Sequence, residues 1–515
     1  MLFNSYIFLV LFLPLALLGF WAFRKISFRA MMGWLVFSSI FYYGYWQPDS
    51  ESWSPKYLFL ILGSCLLNYA SGRFLAKHRG RYGKVILGLG VTLNLALLGY
   101  YKYIGLFAKT FMALTGSILD LPSIILPLGI SFFTFQQIAY LVDAHRGETK
   151  EYNLVDYLLF VTFFPQLIAG PIVHHKEMMP QFRRSRSGKP RSLDLAPGMT
   201  ILVIGLFKKV VIADYLARSA TPLFDMAANG PRDLTMAEAW VACLSYSLQI
   251  YFDFSGYSDM AIGAARLFGI RLPVNFHSPY KATSIIDFWR RWHVTLSRFL
   301  RDYLYIPLGG NRFGITRRYS NLFITMVLGG LWHGGGWTFL LWGALHGIYL
   351  CFNHAWRALR AKKGWAPLPK AMAIFVTFLF VILAWVPFRA GNYESLGDGT
   401  TMRALDTTKS IYSSMFGFNG FTGWPSDFAI VAKAQRAIRP VALGLILVWL
   451  FPNTQQFMRR YRPALGLRGL PDGQFGPRKW WHWRPTLPWL CFTIGICYTV
   501  GRGFDKLSEF IYFQF

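Results

Sequence analysis

The sequence is poor in charged side chains, which make up only 15% of its 515 residues. A soluble protein carries roughly 25%. Hydrophobic residues account for 54% of the chain and aromatic residues for 18%, so there are too few charges to cover a soluble surface. Apolar runs of about 20 residues recur along the chain, and this is the length that a bilayer core demands. The composition therefore excludes an ordinary soluble protein and predicts a polytopic membrane protein.

Acidic residues are especially scarce, because 24 Asp and Glu stand against 53 Lys and Arg, which gives a net charge of +29. In a soluble protein this balance would suggest nucleic-acid binding. Here the basic residues fall in the loops between apolar runs, as the positive-inside rule predicts, and no nucleic-acid motif accompanies them. We therefore predict membrane lipids as partners, and no nucleic acid.

Cysteine is rare, and none of its five occurrences forms a CxxC pair. The sequence also lacks an HExxH motif and any Cys/His cluster at metal-ligand spacing, the patterns that indicate a zinc site. No Walker loop, Rossmann fingerprint or Ser-His-Asp order is evident either. We therefore expect no metal and no bound cofactor. The cysteines are interpreted as small buried hydrophobic residues: Cys65, Cys243, Cys351, Cys491 and Cys497.

The apolar segments predict an all-α chain that forms one membrane domain over residues 1–515. The first segment lacks the basic region and the cleavage site of a signal peptide, so we expect it to remain as a spanning helix. A shorter apolar stretch near 104–115 is interpreted as re-entrant. The predicted spans are 5–23, 31–47, 57–72, 85–103, 121–142, 154–173, 196–217, 238–263, 320–332, 337–357, 371–389, 438–452 and 485–501.

The charges of the loops give one consistent orientation in the membrane. The first span is followed by a basic cluster, predicted to be cytoplasmic, and the next loop, 46–52, is acidic and predicted to be outside. The 391–437 connection and both termini are then extracytoplasmic, and the expected location is the inner (cytoplasmic) membrane of a bacterium. The basic segments predicted to lie inside are 73–84, 174–191, 357–363 and 458–484.

The region 273–319 departs from the alternation of spans and loops, because it mixes many charges with many aromatic residues. It cannot be a lipid-facing span, since each central arginine would cost about 2.5–3.5 kcal/mol. Two interpretations remain: amphipathic helices at the cytoplasmic face, or a short segment that enters the protein interior, where irregular backbone is tolerated at membrane depth.

Two histidines lie in the apolar stretch LWHGGGWTFLLWGALHG, residues 331–347. Imidazole exchanges a proton near neutral pH, and inside a membrane it is rare and typically functional. His333 precedes three glycines that weaken the helix, so we predict it as a catalytic base. His346 lies about 20 Å further along an unbroken helix. We expect it to be structural or supporting, because the two can share a small site only if the glycines fold the chain back.

The motif WRRWH, residues 289–293, provides the other catalytic candidate, His293. Arginine recognises phosphate through its planar fork of donors, so Arg290, Arg291 and Arg298 are candidates for binding a phosphorylated donor such as coenzyme A. The alternative is a basic cluster that contacts anionic lipid headgroups. The spacing alone favours neither interpretation.

Two carboxylates, Asp253 and Asp259, lie in the apolar run YFDFSGYSDMAIG, residues 251–263. Six residues apart, they face different sides of a helix. They are interpreted as structural carboxylates held by hydrogen bonds or by ion pairs, with the arginines above as possible partners. A proton relay is the other interpretation, and the structural one is favoured.

Several stretches together resemble the alginate O-acetyltransferase (AlgI) branch of the membrane-bound O-acyltransferases, the MBOAT family. The resemblance covers most of the chain and is dense over 121–350, and after residue 390 only the terminal FIYFQF matches. The matching stretches are LPLGISFFTFQQIAYLVD, FPQLIAGPI, LFKKVVIAD, QIYFDFSGYSDMAIG, FWRRWHVTLSRFLRDYLYIPLGGNR and NLFITMVLGGLWHGGGWTFLLWGALHG.

The resemblance implies a ring of about 11–14 transmembrane and re-entrant helices around a central funnel, with a catalytic core over about 121–360. It assigns the active-site histidine to His333, as base or transient acyl carrier, and its upstream partner to His293. It implies acetyl-CoA as the cytoplasmic donor. The acetyl group is expected on an extracytoplasmic polysaccharide such as alginate, through a periplasmic or membrane-anchored acetyltransferase partner.

Two other functions remain open at this point. One keeps the family and changes the donor, as in transfer of D-alanine or another acyl group from a carrier protein to a cell-envelope polymer. A basic cytoplasmic surface suits an acidic carrier protein as well as coenzyme A. The other is a transporter or flippase of a lipid-linked sugar, although the sequence shows no inverted repeat with paired broken segments.

Overall fold

The computed structural model describes residues 2–45, 55–117, 119, 124–149, 153–184, 192–393, 401–420, 428–470, 479–503 and 510–511. Over these residues the chain is helical, and the only β pairing is an isolated bridge between Pro273 and Leu465. The predicted all-α class is confirmed. The acidic loop 46–52, most of the terminal FIYFQF, and parts of the 174–191, 391–437 and 458–484 segments lie outside the described residues.

The described part of the chain forms twenty α-helices, joined by short π-helical and 3₁₀ segments. In chain order they are α1 Leu13–Ile26, α2 Phe28–Gly44, α3 Lys56–Lys77, α4 Arg81–Thr115, α5 Ile130–Arg146, α6 Leu154–Thr162, α7 Phe164–Leu167, α8 His175–Arg184, α9 Ser192–Leu206, α10 Asp214–Asn229, α11 Met236–Leu267, α12 Ile285–Trp289, α13 Val294–Leu300, α14 Gly314–His333, α15 Trp337–Lys363, α16 Lys370–Ala390, α17 Thr401–Met415, α18 Phe428–Leu450, α19 Thr454–Phe457 and α20 Leu487–Gly501.

Five helical stretches among the described residues are long and apolar enough to cross a membrane. Part of α18 and all of α20 are apolar but shorter. These helices confirm a multi-pass membrane protein. The five stretches are Ile7–Ile26, Lys56–Lys77, Arg81–Met112, Asp194–Asn229 and Lys370–Tyr393.

Helix α11 is the most deeply buried long helix of the described fold, with nearly every residue from Ser245 to Leu267 enclosed. A capping box begins it, because the Thr235 hydroxyl accepts from the Glu238 amide and the Glu238 carboxylate accepts from the Thr235 amide. This arrangement satisfies two amides that the first turn would otherwise leave without partners. Helices α9, α10, α16, α17 and α18 pack around it.

The predicted re-entrant stretch near 104–115 is wrong, because α4 continues without a break from Arg81 to Thr115. Residues 104–115 contain no proline, and one glycine is tolerated within a helix. At 1.5 Å per residue the helix is roughly 52 Å long. It therefore extends well beyond the bilayer core instead of returning to the face it came from.

Two predicted single spans are interrupted in the structure. Helix α5 begins only at Ile130, after Pro127 and after Gly129, whose φ of +68° is left-handed and ends any helix that precedes it. The predicted span 154–173 is divided into α6, nine residues long, and α7, four residues long, with Pro165 at the start of α7. Neither piece can cross a bilayer, and both pieces are largely buried among other parts of the protein.

The first part of the charged and aromatic segment that follows α11, residues 273–300, enters the protein interior, as the second of the two interpretations predicted, whereas residues 301–319 are mostly partly or fully exposed. Its helices α12 and α13 have five and seven residues, and the polar side chains of Asn275, His277 and His293 are buried. Short helices joined by irregular backbone can occupy this depth because protein, not lipid, surrounds them. This segment supplies one wall of the candidate site.

Candidate active site

The three glycines after His333 reverse the chain between two helices. Helix α14 ends at His333, Gly334 and Gly336 are extended, and α15 begins at Trp337. Small residues allow the two helices to pack closely, because a Cβ at Gly330 would meet the Phe339 carbonyl and one at Gly343 would meet the Met326 carbonyl. The glycines therefore do fold the chain back, and α15 returns beside α14.

His333 lies in an aromatic enclosure and is only 3% exposed. Its ring centroid lies 4.9 Å from that of Trp332, 5.0 Å from that of Trp342 and 5.2 Å from that of Phe388. Aromatic walls of this kind exclude bulk water from the imidazole. This surrounding is suitable for a base that must act on a bound hydroxyl and not on bulk water.

His293 is fixed in an unusual backbone conformation with a defined tautomer. Its φ of +41° is left-handed, its side chain is fully buried, and its Nδ1 lies 3.0 Å from the Asn275 Oδ1. That oxygen also accepts from the Thr295 hydroxyl at 2.9 Å, so it acts as an acceptor and Nδ1 carries the proton. Nε2 is then the unprotonated nitrogen, which is the form that a base or a hydrogen-bond acceptor needs.

The structure brings the two predicted catalytic histidines to one tryptophan. The Trp332 ring lies 4.9 Å from the His333 ring and 6.2 Å from the His293 ring, between centroids. The two residues are forty positions apart in sequence and come from an irregular segment and from a helix end. They therefore converge only through the tertiary fold, and we refer to the buried region around Trp332 as the chamber.

Lys102 is a residue of this site that the sequence analysis did not identify. Its Nζ donates to the backbone carbonyls of Trp332 and His333, the second at 3.0 Å, and to the Ser131 hydroxyl at 3.3 Å. A cation at a helix C-terminus satisfies the last carbonyls and complements the helix dipole. Its only sequence signal was a lone lysine within an apolar run, which inside a membrane indicates function.

We expect Lys102→Met to lower turnover by roughly tenfold, because two carbonyls next to His333 would lose a charge-assisted donor and the helix end would move. Lys102→Arg keeps donors and is expected to restore most of the activity. The measurement is acetyl-transfer turnover of detergent-purified protein, with Lys109→Met on the same helix as the control. Equal activity of the Met and Arg variants would contradict this role.

The three candidate donor-binding arginines line one open cavity of about 1880 Å³. They are not equally available. Arg291 pairs with Asp287 at 2.9 Å, and Arg298 forms a bidentate pair with Glu177 at 2.6 and 2.9 Å. Arg290 is exposed, and among the described residues it has no carboxylate partner. Only Arg290 therefore offers an uncommitted guanidinium, and the other two shape the cavity wall.

Three further basic side chains line the same cavity: Arg357, Arg360 and Lys370. Arg357 and Arg360 belong to the last turns of α15, and Lys370 begins α16. Within the described part of the chain, none of the three forms an ion pair. The basic segment 357–363 was predicted only as a cytoplasmic loop, because the spacing of residues in a sequence does not show which other segments lie next to them in the fold. The cavity mouth thus carries more positive charge than predicted.

The Arg298–Glu177 pair belongs to a polar cluster that ties the Arg301–Tyr305 segment to α5 and to the loop before α8. The Tyr303 hydroxyl donates to the Asp143 Oδ2 at 2.9 Å and lies 3.2 Å from the His174 Nδ1. Burial, followed by the Arg298 guanidinium, lowers the pKa of the His174 imidazole to about 4. His174 is therefore neutral at physiological pH and acts as a structural hydrogen-bonding group.

Asp253 and Asp259 are both paired with lysines of the Phe207–Ala213 π-helical segment and not with the arginines proposed above. Lys209 lies 2.7 Å from Asp253, and Lys208 lies 2.6 Å from Asp259. Asp259 also accepts from the Thr454 hydroxyl at 2.6 Å and from the Gln455 amide at 3.1 Å. The Asp253 Oδ2 accepts from the Ile511 backbone amide at 3.1 Å. The geometry of both carboxylates is that of buried structural ion pairs.

His346 is fully buried and contacts a residue of the cavity wall. Trp289, which lines the cavity, donates from its Nε1 to the His346 Nδ1 at 3.3 Å. The Trp342 ring contacts both histidines of the glycine hairpin, which is the pair of helices α14 and α15 with the glycine turn between them. The distance between ring centroids is 4.8 Å to His346 and 5.0 Å to His333. No group of three or more His, Cys, Asp or Glu side chains suitable for a metal ion occurs among the described residues.

Comparison with known proteins agrees with this geometry. Residues 143–390 match the family described as MBOAT, membrane-bound O-acyltransferase family. This segment contains the irregular wall, the glycine hairpin and both candidate catalytic histidines. The resemblance inferred from the motifs is therefore confirmed.

Several relatives are similar to this chain over most of their length. A peptidoglycan O-acetyltransferase from Helicobacter pylori is 45% identical over 77% of this chain and 78% of the relative. A probable alginate O-acetylase AlgI from Pseudomonas putida is 37% identical over 100% of both chains. A teichoic acid D-alanyltransferase from Streptococcus thermophilus is 31% identical over 51% of this chain and 68% of the relative.

Proposed function

The chain belongs to the membrane-bound O-acyltransferase family and is an O-acyltransferase, and from this premise we propose that it transfers an acetyl group from cytoplasmic acetyl-CoA. The acceptor is a hydroxyl group of an extracytoplasmic polysaccharide, such as alginate or another cell-envelope glycan, reached through a periplasmic partner acetyltransferase. Relatives named as alginate and peptidoglycan O-acetylating proteins support the acetyl group and the class of acceptor.

The basic cavity is the observation that carries the choice of donor. Its lining includes Arg290, Arg357, Arg360 and Lys370, and also Trp289, which contacts His346. The phosphates of coenzyme A suit uncommitted arginines and a lysine, and Trp289 offers the pantetheine arm an apolar surface in the same cavity. A volume of about 1880 Å³ exceeds that of typical drug-sized pockets, so a large donor can enter it. The basic loops favour the cytoplasm as the face on which this cavity opens.

The chemistry proposed for the chamber is acyl transfer by general base catalysis. The hydroxyl that first receives the acetyl group, before the partner acetyltransferase passes that group to the polysaccharide, attacks the thioester carbon while the His333 imidazole removes its proton. The tetrahedral intermediate then collapses, the carbon–sulfur bond breaks, and the coenzyme A thiolate takes the proton from the His333 imidazolium. His293 contacts the same indole as His333 and uses its unprotonated Nε2 to accept a hydrogen bond from the substrates. No net charge or proton is left on the protein.

Transfer from a carrier protein is the second candidate, because the chain is similar to a teichoic acid D-alanyltransferase and a basic cavity mouth would attract an acidic carrier. Purified protein in lipid nanodiscs is given radiolabelled acetyl-CoA, or a D-alanyl carrier protein, together with alginate oligosaccharides and the partner acetyltransferase. With acetyl-CoA as the donor, we expect label on the oligosaccharide and release of free thiol. With the carrier protein as the donor, we expect neither. Transfer only from the carrier would overturn the proposed donor.

The cavity arginines provide a test of coenzyme A binding that does not depend on the acceptor. We expect the double variant Arg357→Gln and Arg360→Gln to raise the apparent KM for acetyl-CoA by roughly three- to tenfold, because partly exposed charge pairs contribute up to about 1 kcal/mol each. Turnover at saturating donor is expected to change little. Lys25→Gln, an exposed basic residue outside the cavity, is the matched control.

Acetyl-3′-dephospho-CoA lacks the 3′-phosphate of the donor. It therefore distinguishes binding of that phosphate from a general electrostatic attraction between the basic side chains and anionic molecules. If the arginines bind the 3′-phosphate, wild-type protein loses affinity for this analogue and the double variant does not. If they bind lipid headgroups instead, both proteins respond to the analogue alike, and the KM difference disappears when neutral lipid replaces anionic lipid in the nanodiscs.

A further inference from the structure

The tautomer of His346 is fixed by its neighbour. An indole Nε1–H can only donate a hydrogen bond, and Trp289 donates to the His346 Nδ1 at 3.3 Å. Nδ1 therefore carries no proton, and the single ring proton is on Nε2. The His346 Nε2–H is fully buried, and no acceptor for it exists among the described residues. His346 thus presents a buried N–H group in a fixed direction, and no described residue accepts a hydrogen bond from it.

Trp342 presents a second donor of the same kind. Its side chain is 1% exposed, and its Nε1–H has no acceptor in the described part of the chain. Its ring contacts that of His346 and that of His333, at 4.8 and 5.0 Å between centroids. Buried donors without acceptors are rare in native proteins, because each loses its hydrogen bonds to water and gains nothing in return.

The positions of the two donors relate them to the proposed reaction. Trp289 is at once part of the cavity wall and the partner of His346, and Trp342 lies between His346 and the base. The Trp289 indole therefore connects the cavity lining to His346, and the Trp342 ring connects His346 to the proposed base. In the part of the chain that the structure describes, no carboxylate accepts from either N–H group, so both can donate to an incoming oxygen that acquires negative charge.

We propose that the His346 Nε2–H and the Trp342 Nε1–H form the oxyanion-binding site of the acyl transfer, an inference that rests on the function proposed above. When the acceptor oxygen bonds to the acyl carbon, the carbonyl π electrons move to the carbonyl oxygen, and the two N–H groups donate to that oxyanion. When the carbon–sulfur bond breaks, the electrons return, the carbonyl re-forms and the thiolate leaves with the proton from His333. His346 thereby acts on the substrate instead of only supporting the helix pair.

Trp289 has a different part in this arrangement. It does not touch the oxyanion, and it holds the His346 ring so that Nε2 carries the proton. Without this donor the ring can place its proton on Nδ1, and the oxyanion site then loses one of its two donors in part of the molecules. Trp289 is therefore a positioning residue.

The test compares variants that remove a donor and keep the shape. Trp342→Phe and His346→Leu are expected to lower kcat by about 10²–10³-fold, the loss typical of an oxyanion-hole donor, with KM for acetyl-CoA within about twofold. His346→Gln retains an N–H donor and is expected to keep more activity than His346→Leu. Trp289→Phe is expected to lower kcat by roughly tenfold, because it changes only the tautomer balance. Trp240→Phe, which removes an indole donor that bonds to the Met415 carbonyl, is the matched control.

Benzothienylalanine at position 342 replaces the N–H with sulfur at nearly constant shape and tests the same donor if Trp342→Phe disrupts the fold. Unchanged kcat in this protein and in His346→Leu would overturn the oxyanion assignment. Equal losses in kcat for His346→Gln and His346→Leu would also count against it, because the donor would then be irrelevant. If wild-type protein releases no thiol from acetyl-CoA, the proposed function fails instead, so the two failures are distinguishable.

Discussion

His333→Ala is expected to lower acetyl-transfer turnover by about 10²–10⁴-fold, which is the contribution typical of general base catalysis. The residue ends α14 beside the glycine turn, is almost fully enclosed by aromatic rings, and shares Trp332 with His293. A hydroxyl nucleophile is weak until a base removes its proton. Without His333, the chamber would still bind the donor but would have lost the group that activates the acceptor.

The comparison requires protein that is folded and monodisperse. His333→Gln fills more of the enclosed volume than His333→Ala and serves as a second variant, so that a lost cavity wall is not mistaken for lost chemistry. His78→Ala, an exposed histidine after α3, is the control. We expect all three proteins to elute alike in size-exclusion chromatography and to keep their KM for acetyl-CoA. Near-normal turnover of both His333 variants would exclude the general-base role.

Hydropathy predicted the membrane class and most helices because apolar length is a local property that the bilayer itself imposes. Prediction from hydropathy failed for apolar segments that are surrounded by other parts of the protein and not by lipid. The predicted span 154–173 is apolar enough for lipid, yet Pro165 and the neighbouring helices divide it. The re-entrant stretch at 104–115 was wrong for the opposite reason, because nothing in its sequence stops α4.

Residues of the candidate site could be predicted only where their residue type is unusual for the stretch of sequence around them. His333 and His293 stood out as imidazoles within apolar or charged surroundings, and the glycines beside His333 indicated a break. Trp342 and Trp289 did not stand out, because tryptophan is common in such a chain and their roles depend on which nitrogen faces which neighbour. The convergence of α14, α15 and the irregular segment after α11 supplies that information, and no spacing rule contains it.

A second large effect is expected away from the chamber, at Lys209. Its ammonium lies 2.7 Å from Asp253 and 2.9 Å from Asp214, with 2% of the Lys209 and Asp253 side chains exposed. Removing one member of a buried ion pair leaves the other charge without compensation, which typically costs about 3–5 kcal/mol. Lys209→Met is therefore expected to lower the melting temperature by roughly 3–5 °C, because the entropy of unfolding of so long a chain is large.

The neighbouring pair supplies the contrast that tests this argument. Asp259 keeps two neutral donors, Thr454 and Gln455, when its lysine is removed, and Lys208 is partly exposed. Lys208→Met is therefore expected to cost clearly less than Lys209→Met in a thermal melt followed by size-exclusion chromatography. Adding Asp253→Asn to Lys209→Met removes the uncompensated charge and is expected to recover part of the loss. If the two lysine variants melt alike, the stability does not arise from the enclosed charge at Asp253, and the whole π-helical segment contributes through packing instead.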